Sequence, residues 1–126
     1  MRKQVLAIVA SSALLGCGSN APTYGGGPGS TCTPTATQVC MVNLAFSPAA
    51  LTVLHGTTVT WKNGDGVNHQ VASAIGSTDT YNSNFIAAGG TYSHTFATAG
   101  TYVYYCTIHG ADGTPPTGMH GTITVN

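Results

Sequence analysis

The chain has 126 residues, of which only 5% are charged, and its three basic and three acidic side chains cancel to a formal net charge of zero. That length leaves room for one domain of about a hundred residues, and the lack of any basic stripe excludes nucleic acid as a partner. With 17 glycines and an excess of Thr, Val and Tyr, the composition predicts short strands and tight turns, hence an all-β sandwich or barrel.

At the start, Arg2 and Lys3 lead into an apolar run from Val5 to Leu15 that stops at Gly16-Cys17. Interrupted by Ser11 and Ser12, that run is too short to cross a bilayer, and a basic start followed by such a run is an export signal. Leu14-Leu15-Gly16-Cys17 is similar to the bacterial lipobox, in which the cysteine is acylated and becomes the new N-terminus; an ordinary secretory signal cleaved nearby is the alternative. Residues 1–16 are therefore expected to be a lipoprotein-type export signal and residues 17–36 a flexible tether, because GSNAPTYGGGPGST cannot bury a core. Residues 37–126 are left as the domain. The chain is expected to be exported, periplasmic or at the cell surface, and lipid on Cys17 would anchor it to a membrane without crossing it. Cys32 and Cys40 flank TPTATQV and lack both C-x2-C spacing and a nearby histidine, so a disulfide is the expectation for this pair outside the cytoplasm.

Strand signals begin at Gln38. Val39, Met41 and Leu44 lead to Phe46-Ser47-Pro48, and a second run covers Leu51 to Leu54. Thr58 to Lys62 alternates Val59 and Trp61 against threonines, and Asn63-Gly64-Asp65-Gly66 is a turn cluster. Val67, His69 and Val71 are predicted to share one face of the next strand, with His69 pointing inward. Between Ser73 and Ala88 few apolar residues recur, and Phe85-Ile86 is the expected core contact there. Thr91 to Phe96 and Thr101 to Cys106 read as a hairpin-like pair. In the second of these strands Tyr102, Tyr104 and Cys106 lie on one face, with Val103 and Tyr105 on the other. Ile123 and Val125 alternate with threonines to close the chain, and His55 and His94 read as solvent-facing residues.

Cys106 stands alone among histidines, and an unpaired cysteine in an exported protein is open to oxidation unless a metal occupies it. Cys106-x2-His109 places a thiolate and an imidazole at the mouth of one loop, and the inward His69 adds a second imidazole. With a thioether from Met119 the set suits copper, since zinc gains little from methionine. Read singly, Cys106 is also a small buried hydrophobe and Met119 a core filler.

Tyr102-x-Tyr104-x-Cys106-x2-His109, followed by Met119-x-Gly121-x-Ile123-x-Val125, resembles the cupredoxins, the blue copper proteins of the plastocyanin type. The resemblance implies a Greek-key β-sandwich or barrel of about seven to eight strands. It further implies one type 1 copper ion held by His69, Cys106, His109 and Met119. Gln70, the residue after the first histidine, would send its backbone N–H toward the thiolate, and Asn68 or Gln70 would tie the two ligand segments together. Tyr105 would offer a second electron route, and redox protein partners would dock transiently near a solvent-facing His109. The chain departs from the family in the nine residues between His109 and Met119, expected as an outward bulge stiffened by Pro115-Pro116. That interval leaves Met119, His120 or an open position as the axial choice. The implied function is that of a monomeric single-copper electron carrier outside the cytoplasm. Copper delivery or tolerance, a small copper enzyme with an altered axial position, and a metal-free adhesion sandwich are the alternatives. Other catalysis has no foothold, because the chain contains no glutamate and no justifiable Ser-His-Asp arrangement.

Overall fold

The computed structural model describes residues 31–126, so the expected export signal, Cys17 and most of the expected tether lie outside the described residues. Eight strands and no helix are found among them: β1 (Gln38–Val42), β2 (Ala45–Ser47), β3 (Ala50–Val53), β4 (Thr57–Asn63), β5 (Val71–Ser73), β6 (Thr91–Phe96), β7 (Gly100–Ala111) and β8 (Thr117–Val125). They form two four-stranded sheets, ordered β2-β1-β4-β6 and β3-β8-β7-β5. Neighbours run antiparallel except for β1 with β4 and β3 with β8, which are parallel. The chain is thus an all-β sandwich of two mixed sheets.

Alternation along β4, β7 and β8 builds most of the core. Val59, Trp61 and Asn63 of β4 are buried, as are Tyr102, Tyr104 and Cys106 of β7 and Met119, Gly121, Ile123 and Val125 of β8. Period-2 burial of this kind turns one face of each sheet toward the other. Trp61 sits at the centre, its ring centroid 5.3 Å from Tyr104 of the opposite sheet and 5.8 Å from Tyr92 of its own. Aromatic pairs at such separations add about 0.5–1.5 kcal/mol each beyond their buried area.

Three local readings are corrected by the fold. β6 and β7 do not form a hairpin: β6 pairs with β4 in one sheet and β7 with β5 and β8 in the other, so residues 97–99 carry the chain between sheets. Residues 32–36 are fastened to β1 and not free, through the Cys32–Cys40 disulfide, the Thr35–Gln38 bridge and the Gln38 side chain donating to the Thr33 carbonyl at 2.9 Å. Met41 and Phe46 belong to a β1–β2 hairpin whose two turn residues, Asn43 and Leu44, both have positive φ, 55° and 57°. A two-residue turn with both φ values positive matches the right-handed twist of its strands, but a leucine there is strained.

Gly121 lies opposite Tyr104 in the β7–β8 ladder, and a Cβ at that position would stand 2.5 Å from the buried Tyr104 hydroxyl and 3.0 Å from the Ala49 carbonyl oxygen. The aromatic ring therefore occupies the space a side chain would need. Gly121→Ala should lower the unfolding free energy by about 1–3 kcal/mol, the usual range for overpacking, read from denaturant midpoints; an unchanged midpoint would show that Tyr104 gives way freely.

Candidate metal centre

Strand pairing brings the three donor side chains together. β5 pairs with β7 in a register that sets Val71 against Cys106, which carries His69, two residues ahead, alongside the thiol. The His69 segment is not a continuation of β5. It is latched by reciprocal backbone bonds with Ile86, His69 N–H to Ile86 O at 3.1 Å and Ile86 N–H to His69 O at 2.7 Å. The buried Asn63 amide reinforces the latch by donating to the carbonyls of Val67 at 2.7 Å and Ile86 at 2.9 Å. Val67, expected on the inward face with His69 and Val71, is exposed, because the chain enters this segment from the turn and not from a strand. Phe85 is likewise exposed and only Ile86 packs inward.

On the other side, β7 does not end at Cys106. Tyr105 pairs with His120 and the ladder resumes at Gly110 with Gly118, so β7 advances five residues while β8 advances two. The surplus bows the Cys106–His109 segment out of the ladder, the standard way a sheet re-aims side chains. Gly118, at φ 72°, lies so close to the bowed segment that a Cβ would come within 2.7 Å of the His109 carbonyl oxygen. The interval between His109 and Met119, expected as an outward bulge, is therefore a continued hairpin, with Gly110 paired to Gly118 and Ala111 to Thr117. Its tip is pinned where the Asp112 carboxylate accepts the Ile75 N–H at 2.8 Å, and Pro116 is buried.

His69, Cys106 and His109 offer donor atoms that all lie within 4.8 Å of one another. Cys106 Sγ is 3.7 Å from His69 Nδ1 and 3.6 Å from His109 Nδ1, and the two nitrogens are 3.2 Å apart. The point equidistant from the corners of that triangle is about 2.0 Å from each, close to metal–imidazole bonding distance. Cys106 and His69 are fully buried and His109 is half-buried. Burial alone would raise the Cys106 thiol. The hydrogen bond with His69 and the backbone N–H groups of Gln70, Ile108 and His109 outweigh it and hold the thiol at about 6. For His69, burial opposes the charged form, but its bonds to Cys106 and Asp65 raise its pKa. A thiolate beside two imidazole nitrogens is a fitting donor set for copper.

Surrounding groups fix these donor side chains. The Gln70 N–H reaches Cys106 Sγ at 3.5 Å, while the Gln70 side chain accepts from Thr107 at 2.6 Å and donates to Asn82 at 2.6 Å. Gln70 thus ties the His69 segment to the residue after Cys106, whereas Asn68 is exposed. Sequence reasoning passed over Asp65: its carboxylate stands 2.9 Å from His69 Nε2 and accepts the Asn43 and Leu44 N–H groups at 2.7 and 3.0 Å. The four-residue spacing to His69 was the available signal. Met119 is buried in the same core cluster as Cys106, whereas His120 is exposed, its Nδ1 2.9 Å from the Gly118 carbonyl oxygen. Alternation along β8 separates them. Tyr105 is half-buried opposite His120.

His55 is exposed, but His94 is not the solvent-facing residue expected: its Nε2 meets Asp79 at 2.7 Å and its ring stacks on Tyr81 at 4.4 Å between centroids. The Tyr81 ring, unforeseen in the sequence, gives that strand face a partner. In the metal-free protein the ultraviolet thiolate absorption of Cys106 should titrate near pH 6, and His69→Ala should move the midpoint back toward the ordinary 9.0; a wild-type midpoint near 9 would contradict the arrangement.

Comparison with known proteins agrees with this geometry. Residues 33–126 match the family described as copper binding proteins, plastocyanin/azurin family. Plastocyanin from Scenedesmus fuscus is 38% identical over 94 residues, covering 65% of this chain and 87% of that protein. A purple cupredoxin from Nitrosopumilus maritimus superposes with a TM-score of 0.58 at 28% identity, over 71% of this chain and 99% of its own. The copper-containing nitrite reductase of Thermus scotoductus superposes with a TM-score of 0.61 at 28% identity, over 75% of this chain but only 23% of the enzyme. With its family match spanning the whole two-sheet domain and its thiol and two imidazoles brought to one point, the chain belongs to the plastocyanin/azurin family of copper-binding cupredoxins.

Proposed function

We propose that the chain is a single-copper electron carrier working outside the cytoplasm, with the ion held by His69, Cys106, His109 and Met119. The observation that carries this reading is the meeting of the buried Cys106 Sγ with two imidazole nitrogens inside 4.8 Å, with the His69 segment latched to Ile86. Copper bound there would supply a one-electron couple. The protein's part is to keep the ligands from rearranging. Reciprocal bonds to Ile86 hold His69, and the Gln70–Thr107 bond holds the His69 segment against the Cys106 strand. The Gln70 N–H on the thiolate would favour the reduced state.

Met119, not His120, would be the fourth residue holding the ion in this reading, because it is buried in the same core cluster as Cys106 while His120 is exposed. A copper enzyme would need a position open to substrate, and the burial of Met119 in the core favours the carrier. His109, the only one of the three closely grouped donors with solvent access, is the electron-exchange edge, and redox protein partners would dock there transiently. Tyr105, beside Cys106, is the second route. Export agrees with the Cys32–Cys40 disulfide, a bond that persists in oxidising compartments. Acylation of Cys17 would then hold the domain at a membrane as a monomer on a tether.

Copper loading should give an intense thiolate-to-copper absorption and a narrow copper hyperfine splitting, and the protein should cycle between oxidation states without losing metal. Transfer of Cu(I) to an acceptor on each reduction would indicate delivery, and a colourless loaded protein would sink both readings. Met119→Leu should change spectrum and potential while His120→Ala changes neither; the reverse pattern would assign the axial place to His120. Beyond residues 1–16 the charged side chains are one basic residue, Lys62, and three acidic ones, Asp65, Asp79 and Asp112, so steering is weak. Association rates with redox partners should accordingly vary little with added salt, and a steep fall would contradict docking through a near-neutral surface.

A further inference from the structure

Asp65 is bound on three sides. Its carboxylate accepts the Asn43 N–H at 2.7 Å and the Leu44 N–H at 3.0 Å, and Oδ2 lies 2.9 Å from Nε2 of the fully buried His69. Its own backbone N–H is fixed by the Asn63 side-chain oxygen at 2.9 Å. The carboxylate side chain is only 16% exposed, so water competes weakly for it. The two turn residues it grips are the ones with positive φ, and their conformation aims both N–H groups at one acceptor. One anion therefore links the tip of the β1–β2 hairpin to the buried imidazole.

A neutral imidazole has one N–H and one lone pair. Because Nε2 faces a carboxylate, which only accepts, the proton belongs on Nε2 and the lone pair on Nδ1, the atom that faces Cys106 and His109. The carboxylate also brings a negative charge within one ring of the site, where low solvent access leaves it little screened. The first effect makes Nδ1 available to a metal, and the second favours a more positive ion over a less positive one.

We propose that Asp65 is the positioning residue of the metal centre: it sets the tautomer and ring orientation of His69 and lowers the reduction potential by placing a carboxylate behind that ligand. The inference rests on copper being bound by His69, as proposed above. It departs from any role confined to the hairpin, because a residue that only braced Asn43 and Leu44 would alter stability and leave the potential alone.

Asp65→Asn keeps an oxygen for the His69 N–H but removes the charge, and Asp65→Ala removes both. In the full chain loaded with copper, Asp65→Asn should shift the reduction equilibrium toward Cu(I) about tenfold, which is about 59 mV for one electron. Cu(II) affinity should fall about tenfold or more in Asp65→Ala. Nitrogen NMR of the metal-free protein supplies a readout independent of copper: the wild type should show a slowly exchanging His69 Nε2–H that disappears in Asp65→Ala and survives in Asp65→Asn. If both variants keep the wild-type potential, affinity and Nε2–H signal while losing only stability, Asp65 is a brace for the hairpin and the inference is overturned. If the wild type takes up no copper, the electron-carrier reading fails by itself, and the Nε2–H signal still decides whether Asp65 positions His69.

Discussion

A thiol buried to zero exposure, in register with a neighbouring strand that delivers an imidazole, is the constraint on which the rest of the structure depends. Burial penalises the thiolate that a metal requires, and a low-dielectric interior magnifies the penalty unless donors surround it. The fold meets that demand with His69, the bowed Cys106–His109 segment and the backbone N–H of Gln70. None of these is adjacent in sequence to all the others. They meet because β5 and β7 share a sheet, because Ile86 clasps His69 from the far side, and because β8 is shorter than β7 across the bow.

That arrangement also leaves the domain cross-braced where the donor side chains lie. Trp61 and its ring neighbours fill the space between the sheets, so the two faces hold a fixed separation. On this platform the donor segments are tied together: Gln70 joins them to each other, Asp65 joins His69 to the β1–β2 hairpin, and Asp112 joins the long hairpin tip to the segment after β5. A centre that changes charge without changing shape has a small barrier to electron exchange, and a network of short polar contacts around it is the means of keeping shape.

Much of this was legible from residue order. Alternation in Tyr102-Val103-Tyr104-Tyr105-Cys106 showed which side chains face inward, because burial on one face of a sheet imposes period 2. The grouping of His69, Cys106 and His109 was legible because cysteine and histidine carry distinctive chemistry at distinctive intervals. What the sequence concealed depends on contacts distant along the chain. Pairing of β6 with β4 and not with the following strand is a choice between sheets that local patterning does not encode. The Leu44 turn has no glycine to announce it, since the compensating acceptor, Asp65, lies 21 residues away. His94 looked solvated for the same reason: Tyr81 and Asp79 reach it only once the 73–88 segment is folded back. The ten-residue step from His109 to Met119 looked like an irregular protrusion, whereas backbone pairing of Gly110 with Gly118 makes it an extension of the ladder.

X-ray absorption at the copper edge, taken on the same loaded sample in both oxidation states, tests the account most directly. Two nitrogen neighbours and one short sulfur neighbour, with distances nearly unchanged on reduction, are the predicted result. A shell of nitrogen and oxygen only, or ligand distances that reorganise when the electron arrives, would contradict it.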